Sequence, residues 1–447
     1  MQMIKLSVIA LAVAAASTQM AVASQQSQSN GFIEDSKLDA HARVLYFNRD
    51  FRNGDTHISA ANATKGKRKG YREDFGLGLK AIYESGFTQG TVGFGIDAFA
   101  LQGIKLDSGG GRHGNDLFPT DGRSGKAQDN YSQAGGAVKA RISSTELKYG
   151  EQFVDLPVLS TDDARLLPET ATGFLVTSNE IENLELHAGH FTALTAMDQT
   201  YHDSSNEGAL RSLDLVGGRY NFTDDLSAAY YYSDADLGHK GAGETKIKKH
   251  YTNVNYNLPL ANSQNLNFDF NMYNSKLNNK DAPRGDRSSK NNVWSLAAAY
   301  NFLDAHTLTF AHQRVTGGYE GGYEYGYDGG GSVYLANDVQ YQGFHQQGEK
   351  SFQARYDLDL ASYGVPGLSF MTRYVRGTNI KDQTGVTNRN NGKNWERDIE
   401  AKYVLQSGVA KDLAFRVRQA TYRANDAAGV RDNNEVRVIV EYPLSIL

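Results

Sequence analysis

The chain contains no cysteine. That excludes disulfides and thiolate metal sites, so an exported form must hold together by other means. No segment approaches the run of about 20 apolar residues that a transmembrane helix requires. Proline is scarce, with 7 in 447 residues, and sustained helical periodicity is absent. The 11 histidines show no ligand spacing such as His-x-x-x-His with a nearby acid, so neither a catalytic metal nor a cofactor is expected. Lys and Arg number 46 against 51 Asp and Glu, a net charge of −5. A mildly acidic chain of this length argues against a nucleic-acid partner.

What is present begins with a leader. Lys5 precedes an apolar run, Leu6 to Ala16, and Ala21-Val22-Ala23 fits a small-x-small cleavage pattern. Cleavage after Ala23 is expected, leaving 24–447 as one exported domain and removing one positive charge. The composition is rich in Tyr (26) and Gly (46). Such a balance suits a β-barrel with aromatic girdles and a wet interior, and equally a large secreted β-protein.

Period-two alternation recurs to the end of the chain. About 18 candidate strands run from Lys37–Phe47 to Glu435–Tyr442. Their connections alternate in kind. Short ones such as "YNFTDDL" and "YNFLDAHTL" hold turn residues, whereas Lys105–Ala134, Lys276–Asn291, Thr316–Lys350 and Gly377–Asn394 are long and rich in Gly, Asp, Asn and Lys. Short turns at one end and long loops at the other are the pattern of an outer-membrane barrel. One connection differs. Gly150–Gly173, "GEQFVDLPVLSTDDARLLPETATG", has its own apolar residues and two prolines. It reads as a loop folded inward on the barrel wall, or else as a packed surface Ω-loop.

The strands have two unlike faces. In "DLAFRVRQATYRA" (412–424), Arg416 and Arg418 share one face and Phe415 and Val417 the other. In "EVRVIVEY" (435–442), Val436, Val438, Val440 and Tyr442 oppose Glu435, Arg437, Ile439 and Glu441. Because the period is two, no side chain changes face without a bulge. An Arg or Lys facing lipid at mid-membrane costs about 2–4 kcal/mol, so the charged face lines a channel. The competing reading is a secreted β-sandwich or adhesin, whose charged faces meet bulk water.

With the strands in place, the chain resembles the OprD-type outer-membrane carboxylate channels. The segments that carry the resemblance include "GFIEDSKLDAHARVLYFNRDFR" (31–52), "YSQAGGAVKARIS" (131–143), "ARLLPETATGF" (164–174), "FQARYDLDLASYGVPGLSFM" (352–371), "EAKYVLQSGVAKDLAFRVRQA" (400–420) and "NNEVRVIVEYPLSIL" (433–447). The resemblance spans the whole exported chain. It implies an 18-stranded antiparallel barrel in the lipid of a Gram-negative outer membrane, as monomer or homotrimer, with Gly150–Gly173 as the constriction loop. It implies passive passage of small carboxylate solutes: amino acids, basic ones favoured, small peptides, carbapenem-type antibiotics, or alternatively aromatic and other organic acids. It further implies a ladder of basic residues, Arg49, Arg165, Lys402, Arg416, Arg418 and Arg437. Tyr341 and Asp338, from "YLANDVQYQGF" (334–344), would stand on the opposite eyelet wall, with a second tyrosine from Tyr323 or Tyr325. Asp338 stands where the family often has serine, and Gly343 where an acid is common. Some family members have been classed as serine peptidases, with positions matching His190, Asp236 and Ser332. The sequence around them has no nucleophile motif, and no enzyme activity is expected.

Overall fold

The computed structural model describes residues 24–52, 70–109, 111–202, 210–238, 245–279, 288–317, 333–381 and 391–446. The expected leader, 1–23, and Tyr323, Tyr325 and Ser332 lie outside the described residues. The strands in chain order are β1 (Lys37–Phe51), β2 (Tyr71–Glu84), β3 (Val92–Ser108), β4 (Asn130–Ile142), β5 (Thr145–Gln152), β6 (Asp155–Leu156), β7 (Leu159–Ser160), β8 (Thr170–Ile181), β9 (Leu184–Thr195) and β10 (Leu210–Asn221). They continue as β11 (Leu226–Leu237), β12 (Thr245–Pro259), β13 (Asn265–Asn279), β14 (Ser288–Phe302), β15 (His306–Gly317), β16 (Lys350–Asp359), β17 (Leu368–Ile380), β18 (Gly392–Val404), β19 (Ala414–Ala424) and β20 (Asn433–Ser445).

All but β6 and β7 form a single 18-stranded antiparallel sheet in which each strand pairs with its neighbours in sequence. Strand β1 pairs with β20 from Asp39↔Ser445 to Phe51↔Asn433, which closes the barrel. Closure matters because an open edge has no water to bond with inside a membrane. The fold is the expected one, with the inward loop. The only helices among the described residues are three single 3₁₀ turns.

Burial is inverted relative to a globular protein. Phe94, Phe310 and Phe352 are exposed on the outside, whereas Glu396, Asp398 and Glu435 are fully buried within. Arg416 is buried while Phe415 and Val417 on either side of it are exposed, which is the alternation expected there. Tight turns such as 143–144 and 182–183 sit at the end where β1 begins and β20 ends. Asn183 takes a left-handed backbone there (φ 63), which asparagine tolerates well. That end is the periplasmic one.

The apolar core lies between the lumen wall and loops folded against it. Residues 153–169 cross the lumen. Val154, Leu156, Val158 and Leu159 pack with Leu213, Leu215, Tyr251 and Tyr273 of β10, β12 and β13. Leu166 and Leu167 pack with Leu45, Phe47, Phe118 and Ile439 near the β1–β20 seam. Each buried leucine contributes about 1.5–3 kcal/mol to holding the loop inside. Gly78 on β2 gives the loop its landing place, since a Cβ there would collide with the carbonyl oxygen of Leu166. Two connections expected outside also turn inward. Leu117 and Phe118, from the span Lys105–Ala134, are completely buried, and β3 and β4 extend into that span. Residues 333–349 sit on the lumen wall, where Asn337 and Phe344 are buried.

Candidate functional site

The registers of β18, β19, β20 and β1 place the expected basic residues on one wall. Across β19 and β20, Arg418 faces Arg437. Across β20 and β1, Arg437 faces Phe47 and Glu435 faces Arg49. Across β18 and β19, Glu400 faces Arg418 and Lys402 faces Arg416. From the extracellular side downward, the order is Arg49, then Arg437 with Arg418, then Arg416 with Lys402. Five of the six predicted residues are therefore brought together by strand pairing alone.

The upper part is tightly bonded. Arg49 Nε donates to Glu435 Oε2 at 2.7 Å, and Arg437 Nε donates to Glu435 Oε1 at 2.7 Å. Gln340 Nε2 also donates to Oε1, at 3.1 Å. The Arg49 and Arg437 guanidinium groups lie 4.9 and 4.3 Å from the centre of the Phe47 ring. Arg165 arrives from the constriction loop and completes the cluster 5.2 Å from the same ring. Its Nε donates to the Asn115 carbonyl at 3.0 Å. Burial, then repulsion from Arg437 and Arg49, lowers the Arg165 guanidinium from its usual value to about 10.

The lower part is looser. Arg418 Nε lies 3.0 Å from Glu400 Oε2 and Arg416 Nε 3.6 Å from Glu400 Oε1. Both Nε atoms are buried and neither has a hydrogen-bond partner. For Arg418 it is the direction of the N–H rather than the distance that misses the carboxylate, and both donors are left unsatisfied. Lys402 stands beside Arg416, half-buried.

The loop that carries Arg165 is tied to the wall by residues the ladder did not include. Arg43 donates from Nη1 to Asp163 Oδ1 at 2.7 Å and to the Arg165 carbonyl at 2.7 Å, and from Nε to Glu441 Oε1 at 2.9 Å. Lys80 Nζ adds a bond to Asp163 at 2.9 Å. Asp163 is held below the usual carboxylate range by Arg43 and Lys80, against the opposing effect of its burial. The basic wall also continues past β18. Arg373 meets Asp398 at 2.5 Å, and Arg355 bonds both oxygens of Asp357 at 2.7 Å. Their lumen-facing parity was legible in sequence, whereas their acid partners follow from register.

Tyr341 is placed over the ladder wall. Its backbone N–H donates to Glu396 Oε1 at 2.8 Å, its ring lies 5.3 Å from the Arg49 guanidinium, and the Tyr422 ring is 5.1 Å away. The ring stands near the top rung, where Glu396 captures the loop backbone. Asp338 sits half-buried in the same segment. On the far wall, Tyr231, Tyr251 and Tyr273 form a cluster with Tyr334 that sequence reasoning missed. Tyr273 Oη donates to the Pro157 carbonyl at 3.1 Å and so holds the tip of the constriction loop.

Of the residues matching the peptidase positions, the two that are described, His190 and Asp236, have other partners. His190 Nδ1 lies 2.7 Å from Asp214 Oδ1 on the outer surface, and Asp236 is 3.6 Å from Lys246.

A closed barrel with a basic wall facing a loop-narrowed lumen is a porin. The chain matches the family described as outer membrane porin, OprD family, over residues 30–446, and it belongs to that family. It is similar to Porin D of Pseudomonas aeruginosa, 48% identical over 472 aligned positions covering all of both chains. Among solved structures it is similar to Acinetobacter baumannii OccAB1, with a TM-score of 0.83, 34% identity, and 95% of this chain and 100% of that one covered. It is also similar to Pseudomonas aeruginosa OpdK, solved with vanillate, with a TM-score of 0.76, 30% identity, and 93% and 100% covered. The protein is a multi-pass β-barrel of the Gram-negative outer membrane.

Proposed function

We propose that the channel passes small carboxylate-bearing solutes down their gradient, with Arg418, Arg416 and Lys402 as the working rungs below a fixed upper cluster of Arg49, Arg165 and Arg437. The observation that carries this reading is the pair of buried, unbonded Nε donors on Arg416 and Arg418. A guanidinium replaces hydration that a carboxylate loses on entering a narrow pore, and it stays charged at every relevant pH. Low-dielectric walls focus the field of the basic row and raise the local anion concentration. Several weak sites in series let a solute leave as readily as it enters. Glu400 lies beside the rungs, partly exposed, and favours a solute that also carries an ammonium group, which points to amino acids, basic ones foremost, and small peptides. Carbapenem-type antibiotics present a carboxylate of the same kind. No residue takes a catalytic role in this reading.

A second reading, aromatic or other organic acids, draws support from the paired rings of Tyr341 and Tyr422 beside Arg49. The vanillate bound to OpdK is an acid of that class.

Liposome uptake distinguishes these. With Arg416→Ala and Arg418→Ala combined, carboxylate uptake is expected to fall at least tenfold while a neutral solute of equal size keeps its rate. A charged hydrogen bond is worth about 1.5–3 kcal/mol. Equal fractional loss for both solutes in a correctly assembled barrel would sink the ladder reading. Comparing arginine, glutamate and vanillate in the wild-type channel then separates the two solute classes.

A further inference from the structure

The barrel exterior is not uniform around its circumference. On β14 to β18 the outward positions near the extracellular end carry Lys290, Arg314, Lys350, Arg376, Lys393 and Arg397. No outward position of these five strands holds an acid. Elsewhere the exterior is neutralised: on β11 and β12, Lys248 pairs with Asp234 at 2.8 Å and Lys246 lies 3.6 Å from Asp236. Among the described residues, no carboxylate pairs with Arg314, Lys350, Arg376 or Arg397. Register puts Arg314 directly beside Lys350, and Arg376 between Phe352 and Trp395. The tryptophan marks the membrane–water boundary at this height.

Immediately below lies a groove of about 440 Å³ on the same face, lined by Leu296, Ala298, Phe310, Phe352, Ala354 and Tyr374, with Arg376 at its rim. Its cause is a row of alternating size. Ala298, Phe310 and Ala354 are consecutive cross-strand partners, so two alanines leave hollows on either side of an exposed ring. An apolar channel of this kind accepts a hydrocarbon chain. Unpaired guanidinium groups above it accept phosphate bidentately. Because the basic rim is at the end away from the short turns, the matching lipid lies in the outer leaflet.

We propose that this face is a binding site for a phosphorylated, acylated glycolipid of the outer leaflet. One acyl chain occupies the groove over Ala298 and Ala354, and a headgroup phosphate sits on Arg376 with Arg314 and Lys350 beside it. The site is separate from the lumen, since Ala298, Phe310, Ala354, Arg314, Lys350 and Arg376 all occupy outward positions.

The test is native mass spectrometry of the full-length, detergent-purified protein titrated with bisphosphorylated lipid A, its dephosphorylated form, and phosphatidylglycerol. The bisphosphorylated lipid is expected to be retained at least tenfold better than the other two. Arg314→Ala combined with Arg376→Ala is expected to remove that preference. Ala354→Phe, which fills the groove, is expected to weaken retention several-fold with the arginines intact. Heat-modifiable migration and unaltered conductance verify that the variants are assembled. Equal retention of phosphorylated and dephosphorylated lipid, or no effect of the double arginine variant, would overturn the phosphate site. An unaffected Ala354→Phe variant would overturn the groove. Phosphatidylglycerol held as tightly as lipid A would overturn the choice of a glycolipid.

Discussion

Glu435 and Glu400 stand on neighbouring rows of one wall, and each faces two arginines. Their surroundings make them different devices. Glu435 is wholly buried, binds Arg49 and Arg437 at 2.7 Å each, and receives a third bond from Gln340. The two guanidinium groups also rest on Phe47. Glu400 is near Arg418 and Arg416, yet neither Nε donates to it. A solute that recruits an upper arginine must displace a charged hydrogen bond worth about 1.5–3 kcal/mol. At the lower pair the Nε donors hold no bond that a solute would have to break. The same ratio of charges thus yields a brace above and a receptor below, and the difference is hydrogen-bond geometry.

The largest expected break comes from Glu435→Gln. It leaves Arg49, Arg437 and Arg165 crowded around Phe47 without their carboxylate. Removing one partner of a buried ion pair costs about 3–5 kcal/mol, so the heat-modifiable transition is expected to fall markedly in temperature. An unchanged transition would mean that the upper cluster is not a brace. Glu400→Gln is expected to leave that transition in place and to raise carboxylate flux a few-fold, with the reversal potential in a salt gradient shifting toward anions. Destabilisation equal to that of Glu435→Gln would erase the distinction.

The smallest effect concerns the constriction loop. Glu169 accepts the Asp162 backbone N–H at 2.9 Å, and burial raises its carboxyl to about 8, with repulsion from Asp162 adding to the rise. A raised acid is bound more weakly to its proton in the unfolded loop, so the seated loop is favoured while Glu169 is protonated. That advantage is lost as pH rises from the ordinary carboxylate value through about 8. Single-channel conductance is expected to rise by less than twofold between about pH 5 and 8, and Glu169→Gln to be flat over that range. A wild-type trace with no pH dependence there would place the loop's anchor elsewhere.

Strand number, closure and the facing of Arg416, Arg418 and Arg437 were legible in the sequence because alternation is local. Partners were harder. Glu435 and Arg49 meet across nearly the whole chain length, and register fixes that pairing only once the barrel closes. Lumen-facing apolar residues such as Leu45, Phe47 and Ile439 broke the simple rule of polar inside, since loops cover them. The inward turn of Leu117–Phe118 and of 333–349 had only a weak signal, a few large apolar residues within otherwise polar loops. Tyr341 illustrates the limit: its type was recognisable, but its place depends on where Glu396 receives the loop backbone.

The seam between β1 and β20 joins the first strand to the last. Arg49, Phe47 and Arg43 come from one side of it, Glu435, Arg437 and Glu441 from the other. Arg43 bridges Glu441 across that seam and also holds Asp163 of the loop. The filter in its described form is therefore a product of the final step of assembly, when the two ends of the chain zip together. A partly inserted barrel can already pair β18, β19 and β20 and so align Lys402, Arg416, Arg418 and Arg437, but it lacks the upper cluster that Arg49, Phe47 and Glu435 form across the seam. The upper cluster thus doubles as a record that biogenesis has run to completion.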